Sequence, residues 1–182
     1  MKSPYVLIDI IFNLYLMIVI LRIWLQLARA DFYNPFSQFV IKATHPIVGP
    51  LRRVLPSFGS VDSASLVLAL IVAATKIILI GLLGGGTSIN PLSVLISSVF
   101  VVLIESMSLI FYILIIRAIM SWISQGYNPF EALLQQLTEP LLAPIRRVIP
   151  PIGGLDLSIL VAIVALQFLP ILVGDIFGIF MR

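Results

Sequence analysis

The chain has no cysteine and a single histidine, His45. Thiolate chemistry is therefore excluded, as are a histidine-bearing zinc set and bis-histidine haem ligation within one chain. The absence of cysteine leaves the redox compartment unconstrained. Charge is also scarce: Asp, Glu, Lys and Arg are 10% of 182 residues, where an ordinary soluble domain carries about a quarter. Neither a Gly-x-Ser-x-Gly elbow nor a His-Glu-x-x-His helix occurs. The stretch Gly84-Gly85-Gly86-Thr87-Ser88 lacks the lysine and the strand context of a phosphate loop, and it reads as a tight turn between helices. A non-enzymatic protein with no cofactor, no metal and no nucleic-acid partner is expected.

What is abundant is hydrophobic. Apolar residues make up 60% of the chain and the mean hydropathy is +1.17, which implies an all-α integral membrane protein whose partner is the lipid bilayer. Crossing about 30 Å of hydrocarbon at about 1.5 Å per residue takes about 20 residues. Four apolar runs reach that length: 5–27, 64–83, 92–116 and 157–180. Ala28-Arg29-Ala30 has the form of a signal-peptidase site, but the run before it is long and carries Asp9, Asn13, Arg22 and Gln26. It is read as the first membrane helix.

The loops repeat one another. Residues 33–62 align without a gap with 127–156, and 13 of the 30 paired positions are identical. The identities are Tyr-Asn-Pro-Phe, a Thr-x-Pro, a third Pro, Arg-Arg-Val, a fourth Pro, a Gly and a closing Asp. Two repeats follow, 1–90 and 91–182, each a membrane helix, a loop (28–63 or 117–156) and a second membrane helix. Asn34 and Asn128 suit the N-cap of a helix that Pro35 and Pro129 would open. Phe36, Phe39, Val40, Ala43 and Ile47 recur at helical spacing, as do Phe130, Leu133, Leu134, Leu137 and Leu141 opposite Glu131, Gln135 and Thr138. Each loop should thus hold an interfacial amphipathic helix, ended by Pro46 or Pro140. Asp62 and Asp156 precede the next apolar run, where a carboxylate caps a helix and meets its positive end.

Basic residues set the orientation. Arg29, Lys42, Arg52, Arg53, Arg146 and Arg147 lie in the repeated loops and Arg22 and Arg117 at the adjoining helix ends, while the turn from Gly84 to Pro91 is uncharged. The positive-inside rule puts both loops in the cytoplasm and the termini on the other side, with the repeats parallel about an axis along the membrane normal.

The doubled pattern of Asn-Pro-Phe, Thr-x-Pro, Pro-[Leu/Ile]-Arg-Arg-Val-[Leu/Ile]-Pro and Gly-x-x-Asp resembles the YggT family of bacterial inner-membrane proteins, whose plastid and cyanobacterial relatives are named YlmG or CCB3. The resemblance covers essentially the whole chain. It implies a four-helix inner-membrane protein from a group linked to osmotic stress and potassium homeostasis in bacteria, and to cytochrome-complex maturation and nucleoid or cell-division organisation in the photosynthetic branch. It brings no catalytic residues.

Two sets of residues then stand out. Asn34, Pro35, Arg52 and Arg53, with Asn128, Pro129, Arg146 and Arg147, suit docking of a partner protein or of anionic lipid at the cytoplasmic face, where each charge is worth about 1 kcal/mol. Asp9, Lys76, Glu105 and Asp175 lie inside the membrane spans, where ionisable groups mark either a pathway or a structural pair. Lys76 is expected to pair with Asp9, Glu105 or Asp175, and its counterpart in the second copy is Pro170. His45, replaced by Glu139 in the second copy, reads as an interfacial loop histidine. Gly81-x-x-x-Gly85 and Gly174-x-x-x-Gly178 offer small surfaces for close helix contact and for a homo-oligomer, and Pro170 with Gly174 could kink the last helix. Two functions fit: a scaffold, assembly or stress-tolerance factor presenting the doubled motif, or a small channel or transporter component in osmotic or potassium balance.

Overall fold

The computed structural model describes residues 3–56, 61–85, 90–123, 128–149 and 156–180, which form six helices. They are α1 Ser3–Leu27, α2 Pro35–Arg52, α3 Ser63–Leu83, α4 Pro91–Ile123, α5 Pro129–Val148 and α6 Leu157–Phe180. Four contain stretches long and apolar enough to cross a membrane: Pro4–Leu27, Ser63–Leu83, Pro91–Ser121 and Leu157–Ile176. Across an 18-residue apolar segment of each, only 17–22% of residues are buried within the chain, and on α1 the residues Val6, Leu7, Ile10, Ile11 and Leu14 form an exposed apolar row. Soluble proteins do not leave such surfaces open to water; lipid covers them, and the protein is a multi-pass membrane protein. The helix α4, at 33 residues, continues well past the expected end at Ile116, and its length of about 50 Å exceeds the hydrocarbon thickness.

The packing follows one scheme in each half. α1 packs on α2 and α3 while α2 packs on α3; α4 packs on α5 and α6 while α5 packs on α6. Contacts of α4 with α1 and α3 join the halves. The main core draws Leu16, Val19, Val48, Leu68, Leu133 and Leu137 together, and a smaller one forms around Leu114, Leu142, Ile159 and Ala162. At the open end, the Tyr5 hydroxyl donates to the Leu83 carbonyl at 2.7 Å and ties the start of α1 to the end of α3.

Contrary to the expectation that Pro46 and Pro140 end the loop helices, α2 and α5 run through both of their prolines, Pro46 and Pro50 or Pro140 and Pro144. A proline removes one helical hydrogen bond and crowds the preceding turn. Spaced four apart, each pair lies on one exposed face of its helix, where freed carbonyls reach solvent or headgroups. What holds the chain helical is on the other face: Val48 and Leu142, both beyond the first proline, are completely buried. The buried side of α2 is Ser37, Val40, Thr44 and Val48, whereas Phe36, Phe39 and Ile47 of the expected stripe are exposed. The inward face is thus turned relative to the apolar stripe.

Candidate functional site

Each loop helix is bolted to the bundle by an arginine that rises from the preceding membrane helix. In the first half, Arg22 of α1 is 4% exposed; its Nη1 donates to the Thr44 hydroxyl at 2.6 Å and to the Ile41 carbonyl at 3.3 Å. Thr44 completes the link by donating to the Val40 carbonyl at 2.7 Å. Asp62, also 4% exposed, receives Arg52 through Nη2 at 2.6 Å and Nε at 3.1 Å, and Ser65 through its hydroxyl at 2.6 Å. Arg22 Nε stands 3.9 Å from the same carboxylate. Burial by itself would raise the Asp62 carboxyl; the hydrogen bonds from Arg52 and Ser65 and the charges of Arg52 and Arg22 outweigh it and hold the group below its ordinary value.

The second half repeats the arrangement with one addition. Arg117 of α4 bonds the Thr138 hydroxyl, and Thr138 donates to the Leu134 carbonyl at 2.7 Å. Arg146 reaches Asp156 Oδ2 through Nη2 at 2.6 Å and through Nε at 2.9 Å. Glu139 then bridges the two arginines, 2.7 Å from Arg146 Nη1 and 3.6 Å from Arg117 Nη2. The bond to Asp156, with a further one to Glu139, raises the Arg146 guanidinium above its ordinary value against the opposing effect of burial. Burial raises the Asp156 carboxyl, and the bonds from Arg146 and Ser158 pull it below its ordinary value on balance. Asp156 also caps α6, accepting the Ser158 amide at 3.1 Å, whereas the Asp62 side chain makes no capping bond to α3. The expected symmetry of the two caps therefore fails, because Arg52 takes both Asp62 oxygens, whereas Arg146 takes only Oδ2 of Asp156 and leaves Oδ1 for Ser158.

Asn34 and Asn128 are N-caps, accepting the amides of Phe36 at 3.0 Å and Phe130 at 2.9 Å. Asn34 also stands where the repeats meet. The Asn34 amide donates to the Pro129 carbonyl at 2.7 Å, the Phe36 and Phe130 rings lie 4.6 Å apart at 47°, and the Asp31 amide donates to the Gln136 side chain at 2.8 Å. Such a ring pair adds about 0.5–1.5 kcal/mol beyond its burial. The structure thus places Asn34, Phe36, Pro129 and Phe130 in a joint between halves, while Asn128 and Pro35 open the two loop helices beside it. Within each arginine pair the roles divide: Arg52 and Arg146 are held by carboxylates, while Arg53 and Arg147 are exposed and their side chains make no hydrogen bond or ion pair among the described residues. The valine after each, Val54 or Val148, is 80% exposed.

Inside the membrane, Lys76 Nζ lies 2.8 Å from Asp9 Oδ1 and 2.6 Å from Asn13 Oδ1, and Asn13 donates to Asp9 at 3.3 Å. Glu105 is half-buried on α4 near that triad, and Asp175 is exposed on α6. Gly81, Gly174 and Gly178 face open space within the chain, so none of them serves a close helix contact there. Among the described residues no three His, Asp or Glu side chains converge as metal ligands.

In the sequence, Arg22 and Arg117 stand out only as topology markers. Arg22 lies 12 residues before Asn34 and Arg117 lies 11 before Asn128, so the ungapped repeat pairs Arg22 with Ile116 and hides the equivalence. One gap at the helix end would have aligned them.

Comparison with known proteins fits this architecture. A family model described as CCB3/YggT matches residues 1–83 and 93–177. A protein of Vibrio alginolyticus, named only for its position in the 3′ region of proC, is 51% identical over 98% of this chain and 97% of its own length. The protein YggT of Escherichia coli K12 is 43% identical over 97% and 92%, and one from Haemophilus influenzae is 41% identical over 92% and 90%. All three are described as uncharacterized. No solved structure matches significantly. Matched by the family model on both of its halves, this four-span chain belongs to the CCB3/YggT family.

Proposed function

We propose that this protein is a non-enzymatic scaffold of the bacterial inner membrane, built of two parallel repeats with interfacial loop helices facing the cytoplasm and both termini on the opposite side. It presents two matched basic and aliphatic points to a cytoplasmic or membrane partner protein, and anionic lipid surrounds them. The observation that carries this reading is the division within each Arg-Arg-Val: the first arginine is anchored to a carboxylate and the second, with its valine, projects outward in both copies. An anchored helix end holds its neighbours in a fixed place, which a loose basic tail does not.

Affinity purification from native membranes tests it. Arg53→Ala with Arg147→Ala should lose a co-purifying partner several-fold while insertion and thermal stability stay unchanged, since neither side chain bonds to another described residue. Unchanged co-purification together with unchanged growth under osmotic stress would sink the reading. Orientation is checked separately on a chain that has no cysteine of its own. A cysteine at Ser88 should react with an impermeant maleimide in intact spheroplasts, and one at Arg53 only after permeabilisation; the reverse pattern would invert the topology.

A small channel or transporter component is the rival. It is favoured by Glu105, which sits half-buried in a membrane span with no hydrogen bond of its own among the described residues. Potassium-loaded liposomes separate the two: a scaffold gives no flux, whereas a pathway through the span gives flux that Glu105→Gln reduces.

A further inference from the structure

The two halves differ in their charge balance at one place. In the second, Arg117 and Arg146 face two carboxylates, Glu139 and Asp156. In the first, Arg22 and Arg52 share Asp62 alone among the described residues, because the position of Glu139 is occupied by His45. A cavity of about 340 Å³ opens on this side, lined by Arg22, Gln26, His45 and Arg52 over an apolar floor that includes Leu25 and Ile41. That is the lower end of the size range of ligand pockets, about 300–1,000 Å³. Two polar atoms of its lining are buried without a hydrogen-bond partner among the described residues, Arg22 Nε and Gln26 Oε1. Arg22 itself is 4% exposed, and an orphaned donor on a buried guanidinium is costly unless something satisfies it.

We propose that the first repeat binds one phosphate-type oxyanion in this cavity, between Arg22 and Arg52, in the place where the second repeat carries its own Glu139 carboxylate. Glu139 shows the chemistry the site lacks: a carboxylate that accepts from Arg146, ion-pairs with Arg117 and neutralises the surplus charge. Guanidinium donors suit phosphate oxygens. The unpaired Gln26 oxygen calls for a donor on the same ligand, which the hydroxyl of a hydrogen phosphate or of a glycerol headgroup supplies. Exposed His45 is part of the cavity lining. The inference stands on the cavity and the repeat comparison and is independent of the scaffold reading.

The test uses the full chain, delipidated in detergent and in nanodiscs, followed by thermal unfolding and by native mass spectrometry. Two probes distinguish the sources: inorganic phosphate at constant ionic strength, and phosphatidylglycerol against phosphatidylcholine. The wild type should be stabilised saturably by one of them with a stoichiometry of one. Stabilisation by phosphate alone assigns a soluble ligand, and stabilisation by phosphatidylglycerol that phosphate competes away assigns a headgroup. His45→Glu should restore the missing carboxylate from within, raise the melting temperature without any anion, and weaken probe binding by about tenfold or more, the worth of one charge-assisted hydrogen bond. Glu139→His should raise the stoichiometry toward two. No stabilisation of the wild type by either probe, or an equal response of wild type and His45→Glu, would overturn the proposal.

Discussion

Asp62→Ala is expected to destabilise the fold by about 3–5 kcal/mol, the cost of stripping the partner from a buried ion pair. Among the described residues Asp62 is the one acid that pairs with both Arg22 and Arg52, and Arg22 is 4% exposed. Asp156→Ala, by contrast, should cost no more than about 1–2 kcal/mol. Asp156 is 27% exposed and its removal leaves Arg146 bonded to Glu139. Reversible unfolding of the two variants in the same detergent measures the difference, and equal losses would refute the asymmetry. The same groups set an acid limit. Both carboxyls are held below their ordinary value, so their contribution is complete above about pH 3.9, the usual unfolded value, and is lost as pH falls through the lower folded values. The wild type should therefore lose stability only in strong acid, and Asp62→Ala should lack most of that acid step.

Lys76→Glu should abolish stable folding while Lys76→Met is tolerated. The lysine neutralises Asp9 at 2.8 Å, with Asn13 completing the triad and Glu105 close by. A carboxylate in its place meets like charge in a membrane span, where a single uncompensated charge costs about 2.5–3.5 kcal/mol on insertion scales. Methionine removes the lysine charge together with its desolvation cost, and the Asp9 carboxylate left behind has a side chain 49% exposed near the helix end, where water solvates it. Expression in the membrane fraction and thermal unfolding provide the measurement. The charge swap Asp9→Lys with Lys76→Glu should recover most of the loss. If Lys76→Glu alone were as stable as Lys76→Met, the triad would have no structural weight.

The spans were legible because bilayer thickness acts on every apolar run directly, and no tertiary partner is needed to recognise 64–83 as long enough to cross. The caps at Asn34 and Asn128 were legible for a similar reason, since a side-chain bond to an amide two residues away is local chemistry. The prolines misled because their cost is also local, while the burial of Val48 and Leu142 that overrides it depends on helices distant in sequence. The stripe of Phe36, Phe39 and Ile47 was legible as apolar, but its destination was not. In a membrane protein an apolar face has two destinations, core or lipid, and periodicity does not distinguish them.

From the amino-acid order alone come the four crossings, the doubled loop motif and the family, all of them set by composition, spacing and short-range bonding. Only the tertiary structure separates Arg52 from Arg53, brings Asn34 to Pro129 and Phe36 to Phe130, and reveals that Arg22 and Arg117 are equivalent despite a one-residue slip. Adjacent arginines carry the same charge and chemistry. Which of them finds a carboxylate depends on where a helix from elsewhere in the chain places Asp62 or Asp156, and that is fixed by packing at long range.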